Sequence, residues 1–483
     1  MPFRSRPVDA LPVRDQTVAM AIAIAPRLAC PTLTRPMKTG DGYLARLPPL
    51  TQPLDAGQLG GIAALAAAHG NGLVEISSRG NFQIRGVQED GGPALAEAMG
   101  RLGLNLQVGI PVSIDPLAEL GTLAIDPRAF IAALQERVDN RGLAPRLAPK
   151  LAIVLDFCTA FRPAHLSADL RLRFEADRAD IGLGGDDRSA AWIGSVATGD
   201  VVATALAILA CLASFGRETR LAGTHGIQES ERFQSVVAAA ISSFRPDLRA
   251  MATSEPPGNS ETVAAIAFPF GQASTDDLAR LAEAADEAGI TAIAPAPDRT
   301  LLLRGSPAAV IAIRRAASEI GFVSEPHDPR RTVFACIGSA GCASGSLPTR
   351  ALAAEIAEAA PTLLDDSFAL HVSGCAKGCA HAEATPITLA AIDKRLAIVL
   401  EGRARDDARG FVPAKHIAGR VRKLGAEIDS LRQPGERSAA VLARIGTERI
   451  AAVLHGDGPD GPTEDGNGID GGEPFQRERR LSA

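Results

Sequence analysis

The chain has 483 residues, of which 46% are hydrophobic and 22% charged, with a formal net charge of −6 at pH 7. That length accommodates about two to four domains with cores of their own, and the mild acidity, with one Trp, one Tyr and no basic stripe, argues against nucleic-acid binding. Seven cysteines, odd in number and without the spacing of a disulfide framework, point to a reducing compartment and so to the cytoplasm.

Residues 1–27 read as a loose leader. Thr17 to Ala25 is an apolar run after Arg14 that invites a secretory reading, but it is short, and Asp9 and Asp15 dilute the positive charge a signal peptide carries. No stretch reaches the roughly 20 apolar residues of a membrane span. Residues 28–106 form a first half module. YLARLPP is strand-like, LDAGQLGGIAALAAAHG is a helix with Asp55 near its start and Gly70 at its stop, and LVEISSRGNFQIRGV is two short strands around a turn at Gly80-Asn81. Residues 107–255 alternate between strands (KLAIVLDF, LRLRFEAD) and a buried helix (VVATALAILACLASFG).

Residues 256–327 repeat the first plan. At an offset of 219, Leu59 falls on Leu278, Ala66 on Ala285, Gly70 on Gly289 and Arg85-Gly86 on Arg304-Gly305, without a gap. A single repeat at that distance is not a solenoid period; it predicts two related modules that pair, each followed by a longer domain. Residues 328–455 complete the second unit with strands at FALHVSG and ITLAAID and helices near 413–431 and 436–454. The tail, 456–483, begins with a Gly/Asp-rich stretch to Glu473 that has six acidic and no basic residues, and it reads as disordered.

The densest signal lies in the last third. Cys336 and Cys342 read C-x5-C in TVFACIGSAGCASG, and Cys375 and Cys379 read C-x3-C in HVSGCAKGCAHAE. Four thiolates complete an iron–sulfur cubane, and the small residues around them let the backbone wrap a cluster closely. The spacing matches neither the paired zinc pattern nor the bacterial ferredoxin run. Structural zinc and inert core thiols are the competing readings. Cys30, Cys158 and Cys211 stand alone and read as core or loop thiols. Lys377, inside the second loop, could raise a cluster's potential. His371 and His381 flank that loop and could act near an iron or simply be hydrogen-bonded core residues. No G-x-G-x-x-G follows a strand, so no dinucleotide site is expected in this chain.

SSRGNFQIRG, the strand–helix–strand repeat and C-x5-C followed by C-x3-C together resemble the sirohaem-type nitrite and sulfite reductase superfamily, over roughly residues 28–455. ACPTLTRPMKTGDGYLARL, LAPKLAIVLD and HVSGCAKGCAH resemble most its precorrin-3B synthase branch. The resemblance implies an α+β fold of two ferredoxin-like half modules paired by a pseudo-twofold, plus two larger α/β domains, one carrying the cluster. It also implies the metal ligands Cys336, Cys342, Cys375 and Cys379. Of the four cations that reductases set over sirohaem, Arg79 and Lys150 match. The stretch GIPVSID before Pro116 has no Arg, and Ala152 stands where the second Lys of a Lys-x-Lys pair is expected. Sulfite reduction needs that dense positive charge.

On the synthase reading Arg79 and Lys150 are the catalytic candidates, and Arg79, Arg85, Lys150 and Gln83 bind the carboxylate arms of a tetrapyrrole. Arg79 and Arg85, six apart, are expected to share one strand face; Arg299 and Arg304 are weaker candidates. The implied substrates are precorrin-3A and O2, with NADH electrons arriving through an external partner, and neither nucleic acid nor membrane is expected as a partner. The implied cofactors are a 4Fe-4S cluster and a mononuclear non-haem iron whose ligands the sequence does not show. Under the alternative, an altered sulfite or nitrite reductase, sirohaem is bound and Cys379 also bridges to its iron.

Overall fold

The computed structural model describes residues 30–456 except 119–122, 160, 176, 222–229, 242–259, 382 and 393–394. The leader over 1–27 and the acidic tail beyond Gly456 lie outside the described residues.

The first module runs β1 (Met37–Thr39), β2 (Gly42–Arg46), α1 (Ala56–His69), β3 (Leu73–Ile76), β4 (Phe82–Val87) and α2 (Gly92–Gly100). Asp55 caps α1 in a reciprocal capping box with Gln58. Leu59, Ile62, Ala63 and Ala66 then fall on one buried stripe. The helix stops at Gly70, where a Cβ would lie 2.4 Å from the carbonyl oxygen of Arg85; only glycine lets the chain pass β4 that closely.

The first α/β domain follows with β5 (Val112–Ser113), α3 (Pro127–Asn140), β6 (Ile153–Asp156), β7 (Leu170–Glu175), β8 (Arg178–Leu183), β9 (Ala191–Ala197), α4 (Val201–Phe215) and α5 (Glu231–Ala240). The second module is β10 (Val263–Ala267), β11 (Gln272–Ser274), α6 (Thr275–Ala288), β12 (Ala292–Ala296), β13 (Thr300–Arg304) and α7 (Pro307–Ile320). The second α/β domain is β14 (Val333–Ala335), α8 (Thr349–Ala359), β15 (Leu370–Ser373), β16 (Thr385–Ile392), β17 (Arg395–Gly402), β18 (Gly410–Pro413), α9 (Ile417–Leu431) and α10 (Ser438–His455).

The modules exchange strands. β11 pairs with β3, placing Ala273 opposite Val74, and Leu54 pairs with Ile293 of β12. The expected offset of 219 carries Leu54 to Ala273 and Val74 to Ile293, so the two contacts are one contact made twice. Helices α1 and α6 pack together over a common core that includes Leu59, Ile62, Leu278 and Leu281. Burying each such side chain contributes about 1.5–3 kcal/mol.

The α/β domains repeat as well. Their sheets run β5-β6-β7-β8-β9 and β14-β15-β16-β17-β18, with the same parallel, parallel, antiparallel, antiparallel sequence of pairings. An offset of 217 places Ile153 on Leu370, Leu170 on Ile387 and Leu183 on Leu400, each with the same partner. Thr198–Phe215, with a mean hydropathy of 1.8, is apolar and long enough to cross a membrane by composition; its buried side chains, Leu206, Leu209 and Leu212 among them, pack in the core of the first α/β domain instead.

Two expectations need correction here. The helix expected near 413 begins at Ile417, because Gly410–Pro413 pairs with β17 as an edge strand. The last helix is broken at Gly446, whose φ of 78° is left-handed.

Candidate functional site

β14 and β15 run parallel and side by side, and each ends just before a cysteine. Both cysteine loops therefore leave the same edge of the sheet, the carboxyl ends of parallel strands where open α/β sheets bind ligands. Three glycines from three segments meet beneath Cys336. A Cβ on Gly345 would lie 2.5 Å from the carbonyl carbon of Gly338, and one on Gly374 would lie 3.1 Å from the Cα of Gly338 and 3.3 Å from the Cys336 sulfur. The Gly374 N–H donates to Cys336 Sγ at 3.2 Å. Thr349 Oγ1 donates to the carbonyl of Cys336 at 2.6 Å. Lys377 Nζ donates to Ser344 Oγ at 2.9 Å and ties the loops to each other. The first module leans in as well, since a Cβ on Gly40 would come within 2.8 Å of Cys342 Sγ.

The four thiols act on one another. Burial pushes the Cys375 thiol up; the Lys377 N–H pulls it down, and the charges of Cys379, Cys336 and Cys342 push with burial. All seven cysteines are free of disulfides. Among the described residues no three His, Cys, Asp or Glu side chains gather as one metal ion requires. A cubane makes another demand, four thiolates each on its own iron, and four free thiols on glycine-lined loops fit that chemistry. Gly345→Ala is expected to cost about 1–3 kcal/mol, because its Cβ meets backbone that cannot swing aside; thermal unfolding beside the parent measures it.

A polar row crosses the face of the first module's sheet. Register sets Arg46 of β2 against Gln83 of β4, Gln83 against Glu75 of β3, and Glu75 against Gln272 of β11. Arg46 donates to Gln83 Oε1 at 2.6 and 2.9 Å. Gln83 and Gln272 donate to Glu75 at 3.2 and 3.0 Å. Arg85, two residues beyond Gln83, donates to Asp41 at 2.7 and 2.8 Å and to Glu75 at 3.3 Å. Burial lowers the basicity of Arg85, but the two carboxylates outweigh it and hold the guanidinium fully charged. From the cysteine domain Arg350 reaches Glu75 at 3.7 Å. The equivalent positions of the second module, Ala265, Leu302 and Ala294, are instead apolar and covered by Leu117. One half of the repeat thus carries a polar face and the other a packed one.

Arg79 sits in the turn beside Gly80, whose φ is 76°, and β4 begins only at Phe82. Arg79 and Arg85 therefore do not share one strand. Arg79 donates to the carbonyl of Ser167 and lies near Arg220 in the first α/β domain. It lines an open cavity with Asn81, Ser113 and Asp115. Burial lowers its basicity, Arg220 and Arg46 oppose its charge further, and Asp169 attracts it. Lys150 is exposed in the loop before β6, outside that lining. Ala152 is buried, its N–H donating to Asp169 at 2.9 Å.

Arg299 donates to the carbonyl of Ala380 at 3.0 Å, and Arg304 to that of Leu117. His371 is fully buried, and neither ring nitrogen has a partner among the described residues. Burial, then His381 and Arg299, bring its pKa down to about 4, so the ring is neutral at pH 7. The His381 and Phe334 rings meet in a T-shaped pair, centroids 4.7 Å apart. Sequence reasoning missed Arg46, Glu75, Gln272 and Arg350. Strand register reveals the first three, and no pattern along the chain shows it.

A precorrin-3B synthase of Sinorhizobium sp is 32% identical over 447 residues, 90% of this chain and 96% of that protein. The chain belongs to the precorrin-3B synthase family. Residues 35–102 match the nitrite/sulfite reductase ferredoxin-like half domain, which spans β1 to α2. A ferredoxin–nitrite reductase of Synechococcus elongatus is 24% identical over 402 residues, 74% of this chain and 77% of its own. In fold, the synthase-family chain matches the Mycobacterium tuberculosis NirA protein at a TM-score of 0.64 and 17% identity, covering 85% and 84% of the two chains. The expected reductase-like α+β fold is thereby shown.

Proposed function

We propose that this chain is an oxidoreductase of cobalamin biosynthesis that converts precorrin-3A to precorrin-3B. C20 of the ring is hydroxylated and an acetate arm closes a lactone, before ring contraction. One atom of O2 enters the ring and the other leaves as water; the two electrons come from NADH through an external partner. The likeness to the Sinorhizobium synthase along nearly its whole length carries the reading.

A 4Fe-4S cluster on Cys336, Cys342, Cys375 and Cys379 would supply single electrons. The chain's own residues bind and orient. Arg79 stands at the cavity where the first module meets the first α/β domain, suited to a carboxylate arm of the macrocycle. Lys150, exposed nearby in sequence to β6, adds a point charge. Gln83 and Arg85 act from further in: with Glu75 and Asp41 they stiffen the polar face rather than offer free donors. Among the described residues no three His, Cys, Asp or Glu side chains gather as ligands for a mononuclear iron.

Anaerobically purified protein tests the proposal. About four irons and matching acid-labile sulfide per chain, a broad brown absorption, and O2 uptake on mixing with precorrin-3A and reductant are expected. A sirohaem spectrum with reduction of nitrite or sulfite would favour the reductase reading, which the nitrite reductase relative keeps in view. Zinc in place of iron would overturn both.

A further inference from the structure

Arg299 reaches the cysteine loops from a turn that the backbone resists. Asp298 and Arg299 both take left-handed φ, 59° and 61°, a region non-glycine residues rarely enter. The turn aims the guanidinium between two segments. Nη2 donates to the carbonyl of Ala380, the residue after Cys379, at 3.0 Å. The guanidinium carbon lies 4.2 Å from the ring centroid of Phe334, two residues before Cys336. Gly271 leaves the room, since a Cβ there would lie 2.6 Å from Arg299 Cδ.

This cation is poorly compensated. Glu75 and Asp298 attract it and Arg350 repels it, and Glu75 is shared by Arg85 and Arg350. Burial brings the pKa of Arg299 down to about 10, and that of Arg350 likewise to about 10. Arg350 stands in the first turn of α8, next to the Thr349 that clasps Cys336, and its buried Nε has no partner among the described residues. Arg350 is thus close enough to Cys336 to be attracted by its charge, while Arg299 reaches the cysteine loops through the Ala380 carbonyl and the Phe334 ring and is repelled by Arg350. A desolvated cation without enough carboxylate is costly unless an anion joins it. A cubane on four thiolates carries net negative charge, which grows on reduction.

We propose that Arg299, seconded by Arg350, is the counter-charge of the cluster and raises its reduction potential. This rests on the cluster reading above. Arg299 is a tuning residue here, acting on the loops and through space, without contact to substrate.

The test is spectroelectrochemical titration of purified full-length protein, with iron and sulfide counted for each variant. Arg299→Gln is expected to lower the midpoint potential by about 59 mV, a tenfold change in a one-electron equilibrium. Arg299→Lys is expected to restore most of it, and Arg350→Gln to lower it in the same direction. Loss of iron from Arg299→Gln but not from Arg299→Lys also supports the assignment. Unchanged iron and potential in Arg299→Gln would overturn it, even if KM for the tetrapyrrole rose. Equal shifts, or equal iron loss, in the Gln and Lys variants would overturn it too, because charge would then not be the cause. Parent protein without iron and sulfide would sink the cluster reading itself, and this inference with it.

Discussion

Cys375→Ala and Cys379→Ala proteins are expected to fold and to carry no cluster. Each removes one corner ligand from a set of four, and neither side chain supports a hydrophobic core: Cys375 is partly buried and Cys379 exposed. Iron is expected to fall from about four per chain to background, with complete loss of O2-dependent turnover. Cys158→Ala is the control. The offset that superposes the two α/β sheets carries Cys158 onto Cys375, yet it carries Arg162, not a second thiol, onto Cys379. Its iron content is expected to be unchanged. The emission of Trp192, the one tryptophan of the chain, checks folding in every variant. Iron retained in both Cys375→Ala and Cys379→Ala would remove these thiols from the site.

The second large effect lies in the first α/β domain, at Arg162, the position equivalent to Cys379. Its guanidinium bridges Asp156 at 3.1 Å and Asp187 at 2.6 Å, and both carboxylates are fully buried. Arg173 lies 3.7 Å from Asp187 and 3.3 Å from Asp180, with its guanidinium over the Trp192 ring. Arg171 reaches Asp156 at 3.8 Å and donates to the carbonyls of Pro163, Ala164 and Leu166. Three guanidiniums thus face three carboxylates out of water. Arg162→Ala leaves two of those carboxylates without their nearest cation, and breaking such a pair costs about 3–5 kcal/mol. Urea unfolding followed by Trp192 emission reads the loss where it occurs, because Trp192 stacks on the same network. A midpoint within error of the parent would show that the network contributes little. Iron content is expected to be unchanged in folded Arg162→Ala protein, since the cysteine loops lie in the other α/β domain.

The two domains answer one topological problem differently. Each must close the loop that leaves the second strand of its sheet. One closes it with a balanced ion network; the other leaves thiols on glycine-lined turns. The half modules diverge in the same way, as Arg46, Gln83 and Glu75 correspond to Ala265, Leu302 and Ala294. Duplication supplied the frame, and the substitutions on one face of each half decide where charge can be held.

Some of this was legible along the chain. Two pairs of cysteines in Gly/Ala/Ser-rich loops marked candidate thiol ligands, because each pair is local and lies near a strand end. The repeat showed as well, since an identical order of helix stripe, glycine stop and Arg-Gly survives without a gap. Other readings depended on contacts the chain does not print. Spacing alone put Arg79 and Arg85 on one strand; the left-handed Gly80 turn separates them and sends Arg79 to the first α/β domain. Arg85 looked available for substrate until Asp41 and Glu75 closed on it. The residue order by itself determined which side chains offer thiol chemistry and where most of the helices and strands lie. Only the folded arrangement decided which cations are spent on internal carboxylates and which still seek an anion. The reason is physical: a charge is worth what its burial and its nearest partner make it, and both are set by strand register and domain contact.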